Sequence, residues 1–174
     1  MLLIGAAEHI NDMKIYIGSD HVGFELKEKL KQFLEEKNYT VEDNGAFELS
    51  SDDDYPDFVR PVAEAVAHDP EASRGVVIGG SGQGEGIVAN RQKGVRAVVF
   101  YGPRVPIANA DVNARKSDDP FEIVKLGRMH NNANILSIGA RFVSQKEAEK
   151  AVEIFLATDF EGARHVARLE KIDN

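Results

Sequence analysis

Apolar residues along this chain fall into two alternating kinds of segment. Five short runs, Lys14 to Gly18, Thr40 to Asp43, Gly75 to Gly79, Val95 to Phe100 and Ile135 to Gly139, are rich in β-branched and other apolar residues and predict strands. Between the first two, Phe24, Leu26, Leu30, Phe33 and Leu34 recur every three to four residues among Lys and Glu, the signature of a surface helix. Val59, Val62, Ala63 and Val66 repeat that spacing, and a short helix over Ile87 to Arg91 follows the third run. A further helix is expected from Gln145, with Ala148, Val152, Phe155 and Leu156 turned inward, and the tail from Phe160 to Ile172 is also expected to be helical. Short strands joined by crossovers predict an α/β fold with five parallel strands. In such open sheets ligands sit beyond the carboxyl ends of the strands, so those ends are where chemistry is sought.

Composition narrows the picture. A chain of 174 residues with 43% hydrophobic content suits one domain with a substantial core. Its formal charge of -8 argues against a nucleic-acid surface, which needs a basic stripe. An anionic ligand must therefore find positive charge locally. With no cysteine there is no disulfide, no thiolate nucleophile and no cysteine-ligated metal, which fits the cytoplasm. Met1 to Ala7 is shorter than a signal-peptide core and runs into Glu8 and Asp12, so no export signal is read. No stretch reaches the ~20 apolar residues that span a bilayer.

Three strand ends carry unusual residues. Ser19, Asp20 and His21 follow the first strand directly, where a polar residue also serves as an ordinary helix N-cap. Gly79-Gly80-Ser81-Gly82-Gln83-Gly84-Glu85-Gly86 places five glycines in eight residues after the third strand. A tight turn needs fewer, and so many make sense if backbone N–H groups face an anion or oxyanion at the start of a helix. No Lys-Ser or Lys-Thr follows, which excludes the Walker A pattern. The match of Gly84 to Ala89 to a dinucleotide fingerprint begins five residues too late after the strand. Glu85 would repel a pyrophosphate from that loop, so a carboxylate there suggests a base that abstracts a proton. The third site is His130, Asn131, Asn132 and Asn134 before the fifth strand, with Arg141 after it; the asparagines also suit a plain turn. Finally, Arg164 and Arg168 stand four apart, on one helix face, where two guanidiniums match either phosphate or solvent.

Together these ordered motifs resemble the ribose-5-phosphate isomerase B and galactose-6-phosphate isomerase family. The resemblance rests on Gly18-Ser19-Asp20-His21-Val22-Gly23-Phe24, Asp54-Tyr55-Pro56, the glycine loop with Ala89-Asn90, His130-Asn131, Gly139-Ala140-Arg141 and Arg164-His165. It covers nearly everything from Met13 onward, making 13–174 one domain and 1–12 an N-terminal extension. It implies a doubly wound, Rossmann-like five-stranded parallel sheet with helices on both faces, a homodimer or homotetramer with active sites across a subunit interface, and no metal or cofactor. Many members carry a cysteine base where this chain has Ser81; a second branch has serine there and a glutamate four residues on, as Ser81 and Glu85 do. The stretch 101–129 is longer than in compact members and looks like an insertion.

By that resemblance the substrate is a phosphorylated sugar, with ribose 5-phosphate favoured and galactose 6-phosphate, allose 6-phosphate or a tetrose phosphate as alternatives. His130 with Asp20 would open the sugar ring, and Glu85 would move the carbon-bound proton. Ser81 would bond the two substrate oxygens. The amides of Gly80, Gly82 and Gly84, with Asn131, would stabilise the enediolate. His21, Arg141, Arg164 and Arg168 would hold the phosphate. A non-catalytic phosphate-binding module is the more distant alternative, since fold alone never fixes function.

Overall fold

The computed structural model describes residues 13–173, so the extension expected at 1–12 lies outside the described residues. The chain runs β1 (Lys14–Ser19), α1 (Phe24–Glu36), β2 (Thr40–Asp43), α2 (Pro56–His68), β3 (Ser73–Gly79), α3 (Gln83–Ala89), β4 (Ala97–Phe100), α4 (Glu122–Asn131), β5 (Ile135–Gly139) and α5 (Gln145–Ala157). A 3₁₀ turn (Ala163–His165) and α6 (Val166–Asp173) complete it. The five strands pair in parallel in the order β2-β1-β3-β5-β4. All five expected strands are present.

Strand alternation sorts the core into two layers. Ile15, Ile17, Val76, Ile78, Leu136, Ile138 and Phe100 face one side, where they meet Leu30 and Leu34 of α1, Val124 of α4, and Ala148, Ala151, Val152 and Phe155 of α5. Val77 and Ile135 face the other, against Val59, Val62, Ala63 and Val66 of α2 and Ala89 of α3. Helices therefore cover both faces, as a doubly wound sheet requires. Central β3 is buried along its whole length. α5 starts at a capping box, in which the Ser144 hydroxyl accepts from the Glu147 amide and the Glu147 carboxylate accepts from the Ser144 amide at 2.7 Å.

Two elements depart from the sequence expectation. The helix after the glycine loop begins at Gln83, not Ile87, so Gly84, Glu85 and Gly86 sit in its opening turns. The stretch 101–129, expected as an insertion, has two parts: 101–121 lacks regular structure, whereas Glu122–Asn131 forms the crossover helix α4. Gly127 lets that helix come close to β4, for a Cβ there would lie 3.0 Å from Cγ2 of Val98. The irregular part is tied down by buried Glu122. Its carboxylate accepts from Arg115 at 2.5 Å and from the Ser117 hydroxyl at 2.7 Å. The tail is helical only from Ala163.

The order of the strands makes the junction of β1 and β3 the topological switch point, since the chain leaves β1 in one direction for β2 and returns on its other side as β3. The carboxyl ends of β1, β3 and β5 are adjacent there, and each is followed by one of the motifs singled out above.

Phe155 is fully buried on α5 and belongs to the larger cluster. Phe155→Ala is expected to destabilise the fold by about 3–5 kcal/mol, read from the midpoint of denaturant unfolding.

Candidate active site

At the end of β1, Asp20 is 7% exposed, and its Oδ1 accepts from the amides of Val22 at 3.0 Å and Gly23 at 3.1 Å. It thus shapes the turn that leads into α1, with Oδ2 outside those bonds. His21 is half-buried. Its backbone amide donates to Asp53 Oδ1 at 3.1 Å, and its Nδ1 lies 2.5 Å from the same oxygen. The Asp53 hydrogen bond, joined by the charge of Asp20, raises the pKa of the imidazole. Asp53 holds the ring by Nδ1, so Nε2 is the nitrogen that can meet a ligand. Sequence reasoning missed Asp53, although it lies one residue before the quoted Asp54-Tyr55-Pro56.

At the end of β3, Glu85 is buried, only 4% exposed. Its carboxylate lies against the backbone of Gly79, and a Cβ on Gly79 would fall well inside contact distance of both Oε1 and Cδ. Burial raises the pKa of Glu85, a bond from its own backbone amide opposes the rise, and the charge of Asp20 adds to it. Gly82 turns the chain into α3 with φ +74, a conformation suited to glycine. Its carbonyl accepts from the buried Ser137 hydroxyl of β5 at 2.6 Å. Gly84 is pressed against Tyr55, whose Cζ would be 2.8 Å from a Cβ there. Ser81 is exposed, and its hydroxyl accepts from the Gln83 amide at 3.3 Å.

β5 extends its pairing with β3 past the strand ends. The Ala140 amide donates to Gly79 at 2.8 Å and the Arg141 amide to Gly80 at 3.1 Å. That register sets the exposed Arg141 guanidinium beside Gly80, where a Cβ would be 3.3 Å from its Cζ. The carboxyl end of the sheet therefore gathers Asp20, His21, Gly80, Ser81, Gly82, Gly84, Glu85 and Arg141: one buried carboxylate with heightened basicity, ringed by an imidazole, a guanidinium and a hydroxyl.

His130, Asn131, Arg164 and Arg168 are not in that group. His130 and Asn131 end α4, and three further residues lead into the amino end of β5. The five residues of β5, at about 3.3 Å each, put about 16 Å of strand between the two ends. Arg96, just before β4, pins this end: its Nε donates to the Asn131 carbonyl at 2.9 Å and its Nη1 to Asp173 of α6 at 2.9 Å. The His130 and His165 rings stack, with centroids 4.3 Å apart and planes at 12°. Glu161 Oε2 lies 3.7 Å from His130 Nε2 and 3.6 Å from His165 Nε2. Burial, then the charges of His130, Arg164 and Arg168, lowers the pKa of His165. Each chain thus carries two clusters at opposite ends of its sheet.

The raised pKa of Glu85 has a sign that stability measurements read. The folded protein holds this proton above the ordinary value of 4.5, so the stability it contributes is present below that pH and is lost as pH rises through the folded pKa. Glu85→Gln removes the buried charge and is expected to raise the unfolding midpoint at pH 7 to 8. The gap to the unaltered protein should close as the pH is lowered to 4.5 and below. An equal gap at every pH would contradict the assigned environment.

The chain is similar to several known proteins. The family model described as Ribose/Galactose Isomerase matches residues 15–172. The ribose-5-phosphate isomerase B of Mycolicibacterium paratuberculosis is 37% identical over 159 residues, covering 91% of this chain and 88% of the relative. The crystal structure of ribose-5-phosphate isomerase B from Mycoplasma genitalium with bound ribulose-5-phosphate superposes with a TM-score of 0.80 at 35% identity, over 92% of this chain and 94% of the other. The Clostridium thermocellum ribose-5-phosphate isomerase B structure superposes at 0.78 with 39% identity, over 92% and 95%. With a family model spanning most of the chain and relatives above 30% identity over nine-tenths of it, this protein belongs to the ribose/galactose isomerase family.

Proposed function

We propose that the chain is an aldose-ketose isomerase that interconverts ribose 5-phosphate and ribulose 5-phosphate in the cytoplasm, with Glu85 as the base. The observation that carries this reading is the buried Glu85 carboxylate against Gly79, with its pKa raised by burial, at the switch point of the sheet. A carboxylate of raised pKa is a stronger base at neutral pH than an exposed one. It takes the proton from C2 of the open-chain aldose, and the electron pair forms the C1–C2 double bond of an enediolate with negative charge on O1. A proton then passes from the O2 hydroxyl to O1, and returning the first proton to C1 leaves the ketone at C2 and a hydroxyl on C1. Ser81 bonds the two oxygens as they exchange roles, and the amides of Gly80, Gly82 and Gly84 stabilise the oxyanion. His21, kept cationic to higher pH by Asp53, and Arg141 hold the phosphate, so KM should climb as the pH rises through the raised His21 value.

The remaining groups belong to a second copy. Ring opening needs a proton donor and acceptor, the role assigned to His130 with Asp20, and these two lie at opposite ends of one sheet. A two-fold axis running across the strands brings the amino end of one subunit to the carboxyl end of the other and forms two identical composite sites. His130, Asn131, Arg164 and Arg168 of one protomer then complete the Glu85 site of its partner. Between the two ends, the edge strand β4 and its neighbours expose apolar surface: Ile87 is 61% exposed, Tyr101 59% and Ile123 53%. A cavity of about 530 Å³ there is lined by Val99, Tyr101, Val105, Ile107, Ile123 and Leu126 among others. A patch of this kind in an otherwise acidic chain supports burial in a subunit interface.

A different sugar phosphate is the second reading, and residues 101–121 favour it. Tyr101 opens that segment directly beside Gly139, where a Cβ would be 3.2 Å from Cβ of Tyr101, so the segment starts at the rim of the site.

Purified protein, assayed with ribose 5-phosphate in the presence of a chelator, should form ribulose 5-phosphate. Glu85→Gln should lose at least about 100-fold in kcat. Turnover only of another sugar phosphate would move the substrate, and binding without turnover of any would leave a non-catalytic module. Glu85→Gln and His130→Ala, each poorly active alone, should regain about a quarter of the unaltered rate per chain when unfolded together and refolded. Half the dimers are then mixed, and each mixed dimer has one intact site. No recovery in refolded mixtures would sink the shared-site arrangement.

A further inference from the structure

We infer that His130, Glu161 and His165 form a site for a divalent transition-metal ion such as Zn²⁺, and that the ion inhibits the enzyme by occupying His130. The three ligand atoms all lie within 4.8 Å of one another. Both Nε2 atoms are buried without a hydrogen-bond partner, and His165 is only 3% exposed. Two unpartnered buried ring nitrogens aimed at one carboxylate oxygen are costly to leave unsatisfied. A metal ion satisfies both at once. Two histidines and a carboxylate are a donor set that zinc accepts, with a fourth position left for water. Tetrahedral zinc at about 2.0–2.1 Å from its ligands spaces them roughly 3.3–3.4 Å apart. The observed 3.6 and 3.7 Å from Glu161 lie within a few tenths of an ångström of that spacing, and the stacked rings, with planes at 12°, must also tilt for both lone pairs to meet one ion. Glu161 is 38% exposed at its side chain and His130 20%, which opens a path from solvent.

Neighbouring charge bears on the site from both sides. Arg164 and Arg168 oppose a cation, yet they also favour the neutral form of His165, the form that ligates. Arg168 Nη1 lies 3.4 Å from His165 Nδ1, at the long limit of a hydrogen bond. Metal at Nε2 puts the proton on Nδ1, so the exposed Arg168 side chain must swing away. The ion thus removes the lone pair of His130 and displaces a phosphate-binding arginine together. The competing account is that Glu161 merely orients the two rings through a proton.

The inhibitory half of this inference rests on the isomerase reading; the binding half does not. Metal-free protein, titrated with Zn²⁺ against a chromophoric indicator, should take up one ion per chain, and Co²⁺ should give the visible bands of a four-coordinate ion. Glu161→Gln and His165→Asn should each weaken uptake by about tenfold or more and erase the Co²⁺ bands, with unchanged far-ultraviolet circular dichroism. In chelator-treated buffer Glu161→Gln should turn over normally, yet need at least tenfold more Zn²⁺ for half-inhibition. Absence of uptake, or equal uptake by both variants, would overturn the site. Uptake without inhibition of an active enzyme would overturn the mechanism, and an enzyme inactive on every sugar phosphate that still gives the Co²⁺ bands would refute the isomerase reading alone.

Discussion

The carboxylate of Glu85 occupies space that exists only because residue 79 has no side chain, and the rest of the candidate site is arranged around that contact. Burial there withholds water from the carboxylate and raises its basicity. The surrounding architecture holds it: β3 at the centre of the sheet, Gly82 turning the chain at positive φ, and Ser137 of β5 fastening the Gly82 carbonyl. Asp20 contributes through its charge while its Oδ1 is committed to the turn before α1. The side chain that shapes the turn into α1 also raises the pKa of Glu85.

The second organising fact is direction. Parallel strands put every carboxyl end on one side, so groups that follow strands gather there, whereas groups that precede a strand gather on the other. Glu85 and Arg141 follow strands; His130 and Asn131 precede one. In the proposed shared site, chemistry that needs both sets would draw them from two chains, and the exposed apolar surface along β4 lies between them.

Much of this was legible in the residues because the strong signals are local. Five β-branched runs and the three-to-four spacing on α1, α2 and α5 reported the strands and the packed faces, for burial on one side leaves a periodic trace. α4 was not legible, since Gly127 and the polar Arg128, His130 and Asn131 blur its short apolar face. The early start of α3 was hidden for a related reason: glycine is a poor helix former, and three of the first five positions, counting from the Gly82 cap, are Gly82, Gly84 and Gly86. Asp53 escaped notice because its partner, His21, is 32 residues away in sequence and only the fold brings them together. The pairing of His130 with His165 is likewise a tertiary event.

The segment 101–121 leaves the rim of the site at Tyr101 and returns to the body at α4, where the buried Glu122 grips Arg115 and Ser117. Neither of those partners belongs to the sheet or to the Glu85 cluster. The segment is therefore a wall held at its far end by Glu122, Arg115 and Ser117 and not by the Gly79 recess that seats Glu85. With Glu85 as the proposed base, a change in that wall would alter which sugar fits while leaving the proton transfer in place.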